Sequence, residues 1–417
     1  MASQEVRPSP GAEPGFFYGY IVAVAALCIM VAAWGTFFTF GVFLKPVVTE
    51  FGWTRGTTSG ALSLSTIMCG LLGVVMGRLN DRFGPRIVMT LCGFLSGLGY
   101  LLMSQIGAVW QLYLFYGVII GIGMGGAMVP LVSTVARWFT KRRSMMTGIV
   151  MTGTGIGTLI APPVANQLIS TYDWRTSYII LGSVVLVVVI LAAQFLRRDP
   201  SQIGQVPYGE SEGGEQGLKL GAEGFSLNEA VYTRQFWVFI AMSFCLAFCN
   251  FTVLVHIAPH ATDLGISAAS AANILATVGG LSIVGRVVLG SAGDRIGNRQ
   301  VFIIGFILMS AALLWLVPAT EIWMLYLFAV VYGFASAGGG ASTSPLVAGL
   351  FGLSSHGLIL GVTSLGNTTG GAIGPFLAGY IFDMTGSYQV AFLVCAAVGI
   401  VGLVLTVLLK PIRGKRR

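Results

Sequence analysis

The sequence predicts an all-α membrane protein with twelve transmembrane helices in two six-helix bundles related by an internal repeat. Three observations carry this expectation. Hydrophobic residues make up 55% of the chain and charged residues only 9%, whereas a soluble domain is about one quarter charged. Twelve apolar runs are each long enough to supply the roughly twenty residues that cross a bilayer. Landmarks in the first half recur in the second at one fixed offset.

The runs fall at roughly 16–44, 56–77, 86–106, 109–136, 145–170 and 176–197, then 234–261, 267–290, 299–318, 321–349, 357–382 and 388–410, and are numbered helices 1–12. Residues 1–15 form a polar tail without the basic and short apolar stretches of a cleavable signal, so the first run is expected to remain a helix. The expected organisation is a tail (1–15), a bundle (16–198), a polar linker (199–233), a second bundle (234–410) and a basic tail (411–417).

Glycine accounts for 58 of 417 residues. Many glycines recur every fourth residue: Gly73 and Gly77; Gly117, Gly121 and Gly125; Gly153 and Gly157; Gly366, Gly370 and Gly374. Lipid supplies no hydrophobic drive between helices, so small residues that admit close backbones read as packing seams. The six cysteines sit in apolar runs, and although Cys245 and Cys249 are one turn apart, no His or carboxylate completes a metal set. No cofactor is implied.

Of 23 Lys and Arg, all but Lys45, Arg55, Arg175 and Arg286 fall in the termini or in loops on one side. By the positive-inside rule that side, with both termini, is cytoplasmic, in a multi-pass inner (plasma) membrane protein. The net charge of +8 is then a topology signal and implies no nucleic acid.

Four landmarks recur 213 residues apart: Asp81 in GRLNDRFG (77–84) and Asp294 in GSAGDRIG (290–297), LYLF at 112–115 and 325–328, Gly148 and Gly361, Pro162 and Pro375. This is a duplicated six-helix unit, and such repeats place a transported substrate at their interface near the midplane. Pro162 and Pro163 in helix 5 and Pro375 in helix 11 are expected to break matching helices and supply bending points.

At these residues the chain resembles the major facilitator superfamily. The loop motif G-x-L-x-D-R-x-G-x-R reads Gly77 to Arg86, with Pro85 in place of a basic residue and an echo from Gly290 to Arg299. Arg-Trp-Phe-Thr-Lys-Arg-Arg-Ser (137–144) with the Gly-rich run to Pro162, and FGVFLKPVVTEFGWTR (40–55), are similar to the monocarboxylate transporter family, a branch shared with oxalate–formate antiporters. The resemblance implies that Asp81, Arg82, Arg86, Arg137 and Asp294 gate the cytoplasmic side, latching the outward-facing state. The alternative is that these charges only set topology.

Arg286 sits in LSIVGRVVLG, apolar on all sides and at least four residues from a loop. A charge at the bilayer centre costs about 2.5–3.5 kcal/mol on insertion scales, so it is expected to face the interior. Its planar fork matches a carboxylate, and the resemblance implies the same role for a helix-8 arginine; an internally paired arginine is the alternative. Helix 11 reads GVTSLGNTTGGAIGPFLAGYIF (361–382), with no second cation to balance a dianion. One anchor favours one carboxylate. Tyr332, Asn250 and Asn367 are candidate cavity residues that could read the polar end of a substrate, with helix–helix hydrogen bonding the alternative for the asparagines.

For proton coupling, the relatives' aspartate one turn before the arginine is replaced by Ser282. Lys45, His256 and Asp263 remain as candidates, His256 because histidine titrates near neutral pH. His256 and Asp263 share nearly one face if helix 7 persists past Pro259. Snorkelling for Lys45 and a helix-end role for the other two are the alternatives. His260 and His356 read as interface residues.

Together these features predict a monomeric carrier of small monocarboxylates, of the lactate or pyruvate type, working by alternating access with proton symport. The alternatives are an organic-anion exchanger without proton coupling and, from another class, a nutrient-sensing receptor on a transporter fold. An enzyme is excluded because the chain lacks a nucleophile–base set, a metal cluster and a phosphate loop.

Overall fold

The computed structural model describes residues 17–139, 143–208, 225–352 and 356–409. The expected tails, the middle of the linker, Lys141 and Arg142 lie outside the described residues. Twelve long helices are present: helix 1 (Gly19–Phe51), 2 (Arg55–Phe83), 3 (Pro85–Met103), 4 (Val109–Trp138), 5 (Arg143–Thr171), 6 (Trp174–Gln194), 7 (Arg234–Asp263), 8 (Ala268–Ile296), 9 (Asn298–Leu316), 10 (Ile322–Phe351), 11 (His356–Thr385) and 12 (Gln389–Leu408).

The repeat is written into the backbone. Helices 2, 3 and 4 map onto helices 8, 9 and 10 at both ends with the 213-residue interval seen in the sequence. Thr54 and Ser267, also 213 apart, each cap the following helix by accepting from the backbone N–H three residues on. Gly84 and Gly297, the same distance apart, end helices 2 and 8 with φ of 82° and 92°, a conformation open to glycine at little steric cost. Helix 6 starts under Asp173, which accepts from Thr176 N at 2.6 Å; that bond holds its carboxyl below the usual range.

Proline behaves differently from expectation. Pro162, Pro163 and Pro375 lie inside helices that run on unbroken, as do Pro46 and Pro259. Packing from neighbouring helices supports these turns where an isolated helix would break.

Ten of the twelve helices are long and apolar enough to span a membrane by composition, counted over the described residues; helices 2 and 11 are not among them. Both are rich in Gly, Ser and Thr, and they lie against each other. A Cβ on Gly56 would meet Tyr380 and Asp383, and Gly379 approaches the Arg55 backbone. Their contact face is turned inward, so it needs no lipid-compatible side chains.

Each half has its own apolar core. Trp138, Tyr100, Tyr116 and Tyr178 fill the first; Phe236, Phe306, Tyr332 and Phe392 fill the second. Glycine seams hold the helices close within each half. A Cβ on Gly157 of helix 5 would lie 2.5 Å from Val31 O and 2.7 Å from Gly35 Cα of helix 1. Across the halves, helices 5 and 8 touch from Met151 to Leu159, while a Cβ on Gly148 or Gly361, nearer the arginine-rich face, would meet nothing within 4 Å. Among the described residues, these contacts between the halves lie toward the face opposite the basic one, here termed the far face.

Candidate functional site

The far face is held by charge across the two halves. Thr54 caps helix 2 and sets Arg55 at its first turn, from where the guanidinium reaches helix 7. Nη1 donates to Asp263 Oδ2 at 2.6 Å and Nη2 to Oδ1 at 2.9 Å. Lys45 of helix 1 stands 3.4 Å from the same carboxylate. Asp383 of helix 11 accepts from the backbone N–H groups of Arg55 (2.8 Å) and Gly56 (2.7 Å), satisfying two orphan donors at a helix N-terminus from the opposite half. The Arg55 side chain is 11% exposed, with its guanidinium carbon 3.8 Å from the Phe382 ring centre. Cations come from the first half and carboxylates from the second.

The lock continues inward. Arg55 Nη1 donates to Tyr388 Oη at 2.8 Å, Tyr388 lies 3.0 Å from His256 Nδ1, and His256 Nε2 lies 2.9 Å from Pro375 O. Helix 7 persists through Pro259, so His256 and Asp263 belong to one assembly, joined through Tyr388 and Arg55. His260 differs from its expected place at the membrane interface: it is buried, edge-on to the Tyr388 and Phe392 rings, because helix 12 covers that face of helix 7. The His356 side chain lies outside the described residues.

Arg286 sits between the halves, as a charge that must avoid lipid should. It donates across the interface to Met151 O of helix 5. One turn earlier, Ser282 donates to Gly279 O at 2.7 Å and faces helix 5, where a Cβ on Gly155 would come within 2.9 Å of its hydroxyl. A larger side chain at 282 would press on this seam.

The other cavity candidates divide. Tyr332 is fully buried, and its hydroxyl donates to Asn250 Oδ1 at 3.2 Å, helix 10 to helix 7. This bond orients the amide so that its NH2 is directed away from Tyr332. Asn367 is exposed on helix 11, one turn from Gly371, whose Cβ would meet the Phe251 ring. Phe251 packs on Phe38 of helix 1, and Phe38 on Trp34. Trp34 Nε1 is buried with no hydrogen-bond partner among the described residues.

At the basic face three of the expected gating residues have neighbours in the first half and its linker. Arg86 Nε donates to Gln194 Oε1 at 2.7 Å, Arg137 lies 3.9 Å from Asp199 at the start of the linker, and Arg82 lies over its neighbour Phe83. The side chains of Asp81 and Asp294 lie outside the described residues.

Sequence reasoning missed Arg55, Asp383 and Tyr388. Arg55 had a signal, as an outer charge closing the FGVFLKPVVTEFGWTR stretch; Asp383 and Tyr388 had none.

Two repeated six-helix halves, pinned together at one face and enclosing an arginine between them, define a membrane transport protein. The Major Facilitator Superfamily family model matches residues 25–290 and 255–417, and the chain belongs to that family. Within it, the chain is similar to monocarboxylate transporter 11 of Homo sapiens, 28% identical over 406 residues covering 93% of this chain and 82% of that protein. It is also similar to monocarboxylate transporter 13 of Bos taurus, 27% identical over 385 residues covering 91% and 86%. Among solved structures, a bacterial homologue of the human lysosomal transporter Spinster, inward-facing and occupied, superposes with a TM-score of 0.74 over 96% of this chain and 97% of that one, at 15% identity. That likeness is one of fold. The family's members are transporters, so the chain is not an enzyme.

Proposed function

We propose that the protein is a secondary carrier of small monocarboxylates of the lactate or pyruvate type, working by alternating access with proton symport. The observation that carries this reading is Arg286, a guanidinium placed between the halves with one backbone carbonyl as its partner among the described residues. Arginine has five N–H donors, so most are left for a bidentate carboxylate. Asn250, its oxygen engaged by Tyr332, has its NH2 available to a substrate, and Asn367 is exposed on helix 11 of the same half. Tyr332 orients Asn250 and does not itself meet substrate. Trp34, Phe38 and Phe251 supply the apolar wall for a short carbon chain.

In this reading the basic face is cytoplasmic, the conformation is open inward, and the lock around Asp263 is the outer gate. Lys45, His256 and Asp263 form the proton-handling group behind it. Carrying one proton with one anion makes the loaded step electroneutral, and each pH unit, about 1.4 kcal/mol, supports roughly tenfold accumulation.

The test is uptake of labelled L-lactate into proteoliposomes with and without an inward proton gradient at zero membrane potential. Gradient-driven accumulation in the wild type, lost in Arg286→Ala, is expected. Exchange that ignores the gradient would replace symport by antiport, and saturable uptake by Arg286→Ala would remove the anchor.

A further inference from the structure

His256 is completely buried in helix 7 among helices 11 and 12. Pro375 O can only accept, so Nε2 carries the imidazole hydrogen. Nδ1 is then a bare acceptor, and Tyr388, 3.0 Å away, donates its hydroxyl hydrogen to it. The tyrosine oxygen in turn accepts from Arg55, which grips Asp263 with both terminal nitrogens. Donors and acceptors match along this chain only while the imidazole is neutral.

A proton on Nδ1 upsets the match. Two donors would then face each other, and the hydroxyl hydrogen would have to turn away from a site with no other acceptor in the chain. A second cation would also lie one hydroxyl away from the Arg55 guanidinium, in surroundings where water screens poorly. The charged and titratable groups around His256 come from every neighbouring element: His260 and Asp263 from helix 7, Tyr388 from the start of helix 12, Asp383 from helix 11, Arg55 from helix 2, and Lys45 from helix 1 through Asp263.

These groups divide by half. Pro375, Asp383, Tyr388, His260 and Asp263 share the second half with His256, whereas Arg55 and Lys45 belong to the first. Opening the far face carries both cations away and leaves the carboxylates, Asp383 of helix 11 and Asp263 two turns along helix 7, as the charges on the imidazole's own half. The closed lock disfavours an imidazolium and the open one accommodates it. By linkage, a proton on His256 must favour the open lock to the same degree.

We propose that His256 makes the far-face lock responsive to protons, with Tyr388 as the positioning residue that transmits its state to Arg55: the lock closes on the neutral imidazole and is released by the imidazolium. The proton is taken from water on the far side as the face opens and leaves Nδ1 as the lock closes; only the Nδ1–H bond forms and breaks. The inference rests on the reading of the chain as a carrier whose halves rock, and is independent of the substrate.

The test places spin labels at Tyr172 and Met384, exposed at the far-face ends of the two halves, with the exposed Cys28 replaced by alanine, in lipid nanodiscs without substrate. Lowering pH from 8 to 5 is expected to shift the population toward the longer distance by at least about tenfold. In His256→Gln the amide reproduces the neutral pattern, donating to Pro375 O and accepting from Tyr388, so the short distance is expected to persist at both pH values. Tyr388→Phe, which keeps the histidine but cuts its connection to Arg55, is expected to weaken the response. A full shift in His256→Gln would assign the response to Asp263 or Asp383 and overturn the proposal. So would a wild type indifferent to pH when Arg55→Met lengthens the distance. If neither acid nor Arg55→Met lengthens it, the rocking carrier itself fails, and this proposal with it.

Discussion

Replacing Arg55 by methionine keeps most of the side-chain volume and removes the centre of the far-face lock. The losses are two charge-assisted bonds to Asp263, at 2.6 and 2.9 Å, the 2.8 Å bond to Tyr388, and the cation stacked on Phe382. Removing one partner of a buried, hydrogen-bonded ion pair costs about 3–5 kcal/mol. Asp263 is 27% exposed and retains Lys45 at 3.4 Å, so water and the lysine recover part of that, leaving about 2–3 kcal/mol. The whole amount falls on the far-face-closed state, because the pair forms only when the halves meet there. At 1.4 kcal/mol per decade, the balance shifts by about 30- to 150-fold toward the open far face. Val255 is the reporter: it belongs to helix 7 yet is 1% exposed in the core of the first half. A cysteine at Val255 is expected to react with an impermeant maleimide from the far side at least about tenfold faster in Arg55→Met than in the parent. An unchanged rate would refute the assignment of Arg55 to the lock.

Three further substitutions probe the interior and the seams. Ser282→Asp puts a carboxylate at the close seam with helix 5, so transport is expected to fall at every pH without any gain in proton coupling; recovered coupling would show that the seam can yield. Tyr332→Phe releases the Asn250 amide, and the KM for lactate is expected to rise about fivefold, about 1 kcal/mol, with kcat little changed; an unaltered KM would leave Asn250 as a helix–helix contact. Gly157→Ala forces a methyl against two backbone atoms of helix 1, and the resulting cost of about 1–3 kcal/mol is expected as a lower thermal midpoint, which an unchanged melting curve would contradict.

The fold was legible where one residue type answers one constraint. Apolar runs mark the spans, and the 213-residue interval between Asp81 and Asp294 reappears in the ends of helices 2 and 8. Helices 2 and 11 were read as apolar runs at 56–77 and 357–382, although by composition over the described residues they fall short of the other ten. The lock was not legible. Arg55 and Tyr388 are 333 residues apart, and Arg55 and Asp263 are 208 apart, in different halves. No local pattern marks a contact that exists only because two bundles close on each other. His260 was misplaced for a related reason: in sequence it lies one turn from a helix end, whereas in space helix 12 covers it. Proline was misread because propensity in an isolated helix ignores the neighbours that hold the turn.

The distribution of charge gives the two faces different physics. At the far face Arg55 and Lys45 of the first half meet Asp263 of the second, so charge favours closure there, while Arg175 pairs with Glu50 of its own half. At the basic face Arg86 and Arg137 are engaged within the first half and its linker, and Arg299 donates from Nε to Thr406 O of its own half at 3.1 Å. Between the two faces sits Arg286, a cation at the crossing of helices 5 and 8 whose partner is a neutral carbonyl. Among the described residues, the charged contacts that join the halves all lie at the far face. Reversal of the proposed carrier requires releasing the lock at Asp263 and compensating the interior charge at Arg286. In the proposed function, a proton at the lock and a carboxylate at the arginine are the two species with the charges to do so, which would tie the coupling ion and the substrate to opposite ends of one conformational change.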